Sequence, residues 1–117
     1  MIDFACKQFR IEDVIKCGLG LTKADCKVIQ FLLRNNTEWF TSEQISKELD
    51  FNITTVQRSL KRLTEKDITI RNQNNLENGG YIFIYQAKGK NDIRELIMNV
   101  IKEWTKKVQR ELEEWQR

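Results

Sequence analysis

The residues of this chain best suited to covalent or metal chemistry are Cys6, Cys17 and Cys26. A zinc site calls for close Cys or His pairs, whereas these three are well separated and the chain has no histidine to complete a set. An odd number of cysteines also argues against a closed disulfide framework, so reduced thiols are expected. Cys26 falls near Ile29 and Leu33 on a helical stripe and reads as a small buried hydrophobe. Cys6 and Cys17 stand near Lys7 and Lys16, which favours a thiolate wherever the thiol is exposed, so a redox-sensing regulator is one alternative reading. The lack of histidine removes the commonest general base, and Gly18-Leu19-Gly20 follows no phosphate-binding glycine pattern. Carboxylates alternate with lysines as on solvated helix faces. The expectation is a chain that is not an enzyme, with no catalytic residues, no metal and no cofactor.

Positions 53 to 71 carry a different chemistry. A helix that reads a DNA groove needs short hydroxyls near its N-terminus and long basic side chains on its exposed face. Thr54 and Thr55 meet the first need. Arg58 is long enough for base edges or phosphate, Lys61 and Arg62 are placed for backbone phosphates, and Gln57 sits on the flank where it can read adenine. Ser59 is a weaker candidate. Arg58, Lys61, Arg62, Lys66 and Arg71 face only Glu65 and Asp67 over this stretch, so the local charge excess is positive. The bland reading of such a cluster is a solvated helix face.

The elements that must position these residues follow from hydrophobic spacing. Ile11, Val14 and Ile15 suggest an N-terminal helix, broken at Gly18-Leu19-Gly20. Thr22 is a plausible N-cap for a helix over 22 to 34, with Ala24, Val28, Phe31 and Leu32 on one stripe and Ile29 and Leu33 beside it. Glu38-Trp39-Phe40 leaves room for a very short strand. Thr41 with Gln44 reads as a capping box for a helix bearing Ile45 and Leu49, which must end near Asp50 because Asn52 supplies a new N-cap. From Ile53, Val56, Leu60 and Leu63 fall on one helical face. Ile68–Arg71 and Tyr81–Tyr85 are β-rich, and the polar stretch Asn72 to Gly80 between them predicts a hairpin with a long tip, where Arg71 is the sole basic residue. The last segment, about Asn91 to Trp115, is one amphipathic helix roughly 35–40 Å long, more than a globule of this size is wide.

Helix, short strand, capped helix, turn, helix and hairpin is the order of a winged helix-turn-helix, mainly α with a small β-hairpin wing (α+β). Over roughly Leu21 to Tyr85 the sequence resembles winged-helix regulators of the MarR and TrmB kind, especially small archaeal members. The runs LTKADCKVIQFLL, FTSEQISKELDFNITTVQRSLKRLTEKDIT and GGYIFIY carry the resemblance. It implies a sequence-specific double-stranded DNA-binding repressor or activator, dimeric through its terminal helices, without catalytic activity. The organisation expected is one domain overall, residues 1–90 forming the DNA-binding part with its N-terminal helix and 91–117 a dimerisation helix. Ile93, Ile97, Val100, Trp104, Val108, Leu112 and Trp115 form its homodimer stripe, and Lys102, Lys106, Lys107 and Arg110 solvate its outer face. A winged-helix module that binds protein instead of DNA is the other alternative.

Composition bounds the remainder. The 117 residues suit one hydrophobic core, and 40% hydrophobic with 32% charged and no proline fits a folded, helix-rich chain. A net charge of +3 barely favours a polyanion in bulk, so position must decide. Asp3, Lys7 and Arg10 interrupt the region where a signal peptide needs an apolar run, and no apolar stretch approaches a membrane span. A cytoplasmic protein without membrane contact is expected, answering to a small-molecule or redox effector of unknown identity.

Overall fold

Helix ends leave backbone groups unpaired, and in this chain the side chains that pair them set where the elements start. The computed structural model describes residues 2–5 and 7–117. Along the chain run β1 (Ile2–Phe4), β2 (Lys7–Phe9), α1 (Ile11–Leu19), α2 (Lys23–Arg34), α3 (Ser42–Leu49), α4 (Ile53–Glu65), β3 (Thr69–Asn75), β4 (Tyr81–Ala87) and α5 (Lys90–Trp115). Thr22 caps α2, its hydroxyl accepting from the Asp25 amide while the Asp25 carboxylate accepts from the Thr22 amide. Thr41 and Gln44 close the same reciprocal pair at α3, and Asn52 caps α4 through the Thr54 amide at 2.8 Å. The expected caps at all three helices are therefore present. Between α3 and α4 the chain reverses at Asp50, which takes the left-handed conformation (φ 54°).

The hydrophobic core lies where α2, α3 and α4 meet. Val28, Leu32, Ile45, Val56, Leu60 and Leu63 are completely buried there, with Ile68 entering from the chain after α4. The β3–β4 hairpin is antiparallel, Arg71 opposite Tyr85 and Gln73 opposite Phe83. Phe40 and Tyr85 exchange backbone hydrogen bonds of 2.9 and 2.8 Å, which ties the start of α3 to the wing. The architecture is the winged helix-turn-helix expected, α+β with a long C-terminal helix.

Four details differ from the sequence reading. The strand at 38–40 shrinks to the single bridging residue Phe40. The first helix runs through Gly18, and only Gly20, in the left-handed conformation, breaks it. The wing tip is short, because Asn72 to Asn75 continue β3: backbone pairing to the β-rich Tyr81–Ile84 overrides the low strand preference of asparagine. The short β1–β2 hairpin was not anticipated.

The first half of α5 lies along α1, close enough that Val100 would meet a side chain placed at Gly18 at 3.4 Å. Its 26 residues, about 39 Å at 1.5 Å per residue, carry the second half past the body and stretch the molecule to 68 Å. No helix among the described residues is long and apolar enough to cross a membrane.

Burial assigns different costs to two kinds of substitution. Leu60→Ala is expected to cost about 2–5 kcal/mol through lost burial and the cavity left, and Thr41→Ala about 1 kcal/mol through the lost cap. Urea unfolding of both variants checks this, and a Leu60→Ala midpoint no lower than that of Thr41→Ala contradicts the assigned core.

Candidate nucleic-acid interface

With Val56, Leu60 and Leu63 facing the core, the 3.6-residue period turns Thr54, Arg58, Lys61 and Glu65 outward along one stripe of α4. Thr55 and Gln57 flank it. Thr54, Thr55, Gln57, Arg58 and Lys61 are all exposed, and among the described residues none of their side chains takes part in a hydrogen bond or ion pair. Glu65, at the C-terminal end of the stripe, is the acidic exception. Thr54 and Thr55 lie in the first turn, where backbone amides and the positive helix end add to the pull on an anion.

Arg62 has a different situation from its neighbours. Its Nε donates to Asp25 Oδ2 at 3.0 Å and its Nη2 to Asp25 Oδ1 at 2.8 Å, a bidentate fork that joins α4 to the first turn of α2. Asp25 is completely buried, while the Arg62 side chain stays 38% exposed. Burial works to raise the Asp25 carboxyl, but hydrogen bonds from Arg62, Ser59 and the Thr22 amide, together with the Arg62 charge, outweigh it and hold the group below the ordinary carboxylate value. The same partnership raises Arg62 above its ordinary value. Arg62, expected at a backbone phosphate, thus has a structural partner within the chain, with its Nε and Nη2 both engaged by a buried carboxylate. Ser59, the weaker candidate for a DNA contact, is fully buried beside this pair and presents nothing to solvent.

Asp25 is the residue that sequence reasoning passed over. Two signals marked it: Thr22-x-x-Asp25 is a capping-box spacing, and the acid stands on the stripe continued by Val28, Ile29 and Leu32. A carboxylate on a buried stripe requires a cation.

On the wing, Arg71 lies with its guanidinium carbon 4.3 Å from the centre of the Phe83 ring, and Tyr81 meets Phe83 edge-on at 5.3 Å. Arg71 and Phe83 are diagonal neighbours across the hairpin, a distance long side chains bridge. The stacked cation keeps its N–H edges available. Gln73 bonds Asn75 at 3.3 Å on the exposed strand.

The expected dimer stripe divides in two. Ile93, with Leu96, packs partly against the chain's own core, and Ile97 and Val100 are half-buried. Beyond them Val108 is partly covered, and Trp104 (60% exposed), Leu112 (51%) and Trp115 (81%) face solvent. Ile11, Ile15, Leu33, Ile93, Ile97, Met98 and Ile101 line a shallow, almost wholly apolar groove between α1 and α5. Of the cysteines, Cys26 is half-buried against the core and burial pushes its thiol up, which suits an inert role. Cys17 is exposed and free, and Cys6 lies outside the described residues. Among the described residues no cluster of His, Cys, Asp and Glu could hold a metal.

A capped helix, a preceding helix joined to it by a tight turn and a hairpin wing define a winged helix-turn-helix fold. The chain matches the DnaD N-terminal domain family over residues 9–108 and belongs to it. A structure described as a possible transcriptional regulator from Methanosarcina mazei Go1 is 47% identical, with a TM-score of 0.94 over 100% of this chain and 98% of that one. An uncharacterized protein of Methanocaldococcus jannaschii is 25% identical over 109 residues, 93% of this chain and 81% of its own length. A MepR mutant of S. aureus bound to an oligodeoxyribonucleotide shares the fold, with 16% identity and a TM-score of 0.58 over 84% of this chain and 70% of its own.

The Asp25 fork has a pH signature. A depressed carboxyl contributes stability fully above its unfolded value of about 3.9, and that contribution is lost as pH falls through the lower folded value. Wild-type stability should therefore fall more steeply below about pH 4 than that of Asp25→Asn, which has no proton to take up. Urea midpoints measured down the acid range check this, and parallel curves contradict it.

Proposed function

We propose that this protein is a sequence-specific double-stranded DNA-binding transcriptional regulator, a dimeric repressor working in the manner of MarR and TrmB proteins, with α4 entering the major groove. The observation that carries the reading is the stripe of Thr54, Arg58 and Lys61, exposed and unpaired among the described residues, on a helix whose opposite face is fully buried. Thr54 and Thr55 approach the backbone and base edges at the N-terminus of α4. Arg58 and Gln57 read bases, Lys61 holds a phosphate, and Arg71 on the wing reaches a neighbouring phosphate or the minor groove. Arg62 leaves this set because Asp25 holds it. The description of the Methanosarcina relative as a possible transcriptional regulator, and the oligonucleotide bound to the MepR mutant, support the reading.

The dimer rests on α5. Trp104, Leu112 and Trp115 carry more apolar surface than an isolated helix end keeps in water. An antiparallel pair of α5 helices with its two-fold axis between Trp104 and Thr105 sets Val108 opposite Ile101 of the second copy, and Leu112 opposite Ile97. The same register sets Glu103 opposite Lys106. The exposed end of each helix then covers the apolar groove of the other copy.

Arg58→Ala should weaken binding to a selected operator by about 1–3 kcal/mol and relax specificity at one position. Lys61→Ala should instead weaken all sequences alike and lower the salt slope by about one unit per half-site. Binding isotherms on duplex DNA at several salt concentrations separate the two. If both variants bind as wild type does, α4 is not the reading helix. If wild type binds no duplex even at low salt, the fold serves protein recognition instead.

Trp104→Lys should leave the fold intact, because the side chain is mostly exposed within one chain, yet shift a dimer toward monomer in sedimentation at micromolar concentration. A wild-type monomer, or an unaffected variant dimer, contradicts the α5 interface.

A further inference from the structure

The Asp25–Arg62 fork is more directional than the fold needs. Around it α2 and α4 meet through Val28, Ile29, Leu32, Val56, Leu60 and Leu63, an apolar set that fixes which face of α4 is buried but leaves the small scatter in angle that helix packing tolerates. An ion pair of this kind adds little net stability, and apolar residues of similar volume often replace one at no cost. What it does add is geometry. Both oxygens of a fully buried carboxylate are engaged: Oδ2 by Arg62 Nε and the Thr22 amide, both at 3.0 Å, and Oδ1 by Arg62 Nη2 at 2.8 Å. The carboxylate is thereby fixed to the first turn of α2, and the guanidinium plane to the carboxylate. Arg62 stands one helical turn after Arg58 and directly after Lys61.

We infer that Asp25 and Arg62 are a positioning pair that fixes the roll and axial register of α4 on α2, and so determines sequence specificity without touching DNA. The inference rests on the DNA-binding reading above. Its magnitude is geometric. A roll of roughly 15–20°, the same size as the scatter in crossing angle between packed helices, moves a group about 5–6 Å from the helix axis by about 1.5–2 Å. That exceeds the range of a hydrogen bond, so a bidentate contact from Arg58 to a base is lost while a phosphate contact, which tolerates more slack, survives.

The test uses the full chain with the paired substitution Asp25→Leu/Arg62→Met, which removes one charge of each sign and leaves the net charge unchanged. Arg62→Lys, which keeps the cation but gives up the fork, is the second variant. Expected for the pair is a urea midpoint only modestly below wild type, through loss of the Asp25 carboxylate from the α2 capping box, affinity for random duplex within about twofold with an unchanged salt slope, and an operator-to-random ratio lowered by about tenfold. Arg62→Lys should lower the same ratio with little change on random DNA. Should both variants keep the wild-type ratio, or Arg62→Lys alone keep it where the pair does not fold, the positioning role is overturned. Should Arg62→Ala reduce affinity for every duplex and the salt slope as Lys61→Ala does, while Arg62→Lys matches wild type, Arg62 is a phosphate contact after all. Residual dipolar couplings on the free proteins give a readout independent of DNA. The angle between α4 and α2, or the roll of α4, should change in the variants, and an unchanged α4 overturns the inference even where the DNA-binding reading itself has failed.

Discussion

Burial of Val56, Leu60 and Leu63 against α2 and α3 fixes which side of α4 meets solvent, and most of what this protein can do follows from that constraint. The helix is short, and its apolar face is fully used inside the chain. Its opposite face carries hydroxyls and cations that nothing in the described chain pairs. A cation left exposed opposite a packed face can be a solubilising group. The same cation at the N-terminal half of a capped helix, following a tight turn and beside a hairpin wing, is placed to meet a polyanion. Two basic residues one position apart, Lys61 and Arg62, thus have different fates set by their angle about the helix axis. Lys61 points away from the core, and Arg62 points along the flank toward Asp25.

A second constraint comes from α5. The body of the molecule can cover only the first half of a 26-residue helix, and the groove left between α1 and α5 is apolar. Surface of this kind beside exposed tryptophans favours association. A two-fold arrangement of the kind proposed would have the symmetry of paired half-sites in duplex DNA. The apolar surface of α5 and the exposed stripe of α4 depend on different residues and are open to separate experiments.

Much of this was legible in the residues. The N-caps Thr22, Thr41 and Asn52 announce three helix starts because a cap is a local interaction, confined to a few residues of sequence. The apolar face of α4 was legible for the same reason: 3.6-residue periodicity maps directly onto one side of a helix. The extent of β3 was hidden, since Asn72 to Asn75 are strand only through the partner they pair with across the hairpin. The Asp25 partner of Arg62 was hidden because it lies 37 residues away, and a charge on a helix flank looks alike whether solvent or a carboxylate awaits it. The stacking of Arg71 on Phe83 depends on hairpin register in the same way. What sequence conceals here is the pairing of residues distant in the chain.

The most direct test of the account is to map, residue by residue, where duplex DNA touches the protein, by following backbone amide signals of the labelled full chain in a titration with an operator duplex. The account predicts the largest shifts at Thr54, Thr55, Gln57, Arg58 and Lys61, a second group around Arg71, and little change at Leu112 and Trp115. Shifts concentrated on α5 or on the α1 groove, with α4 unmoved, would contradict it.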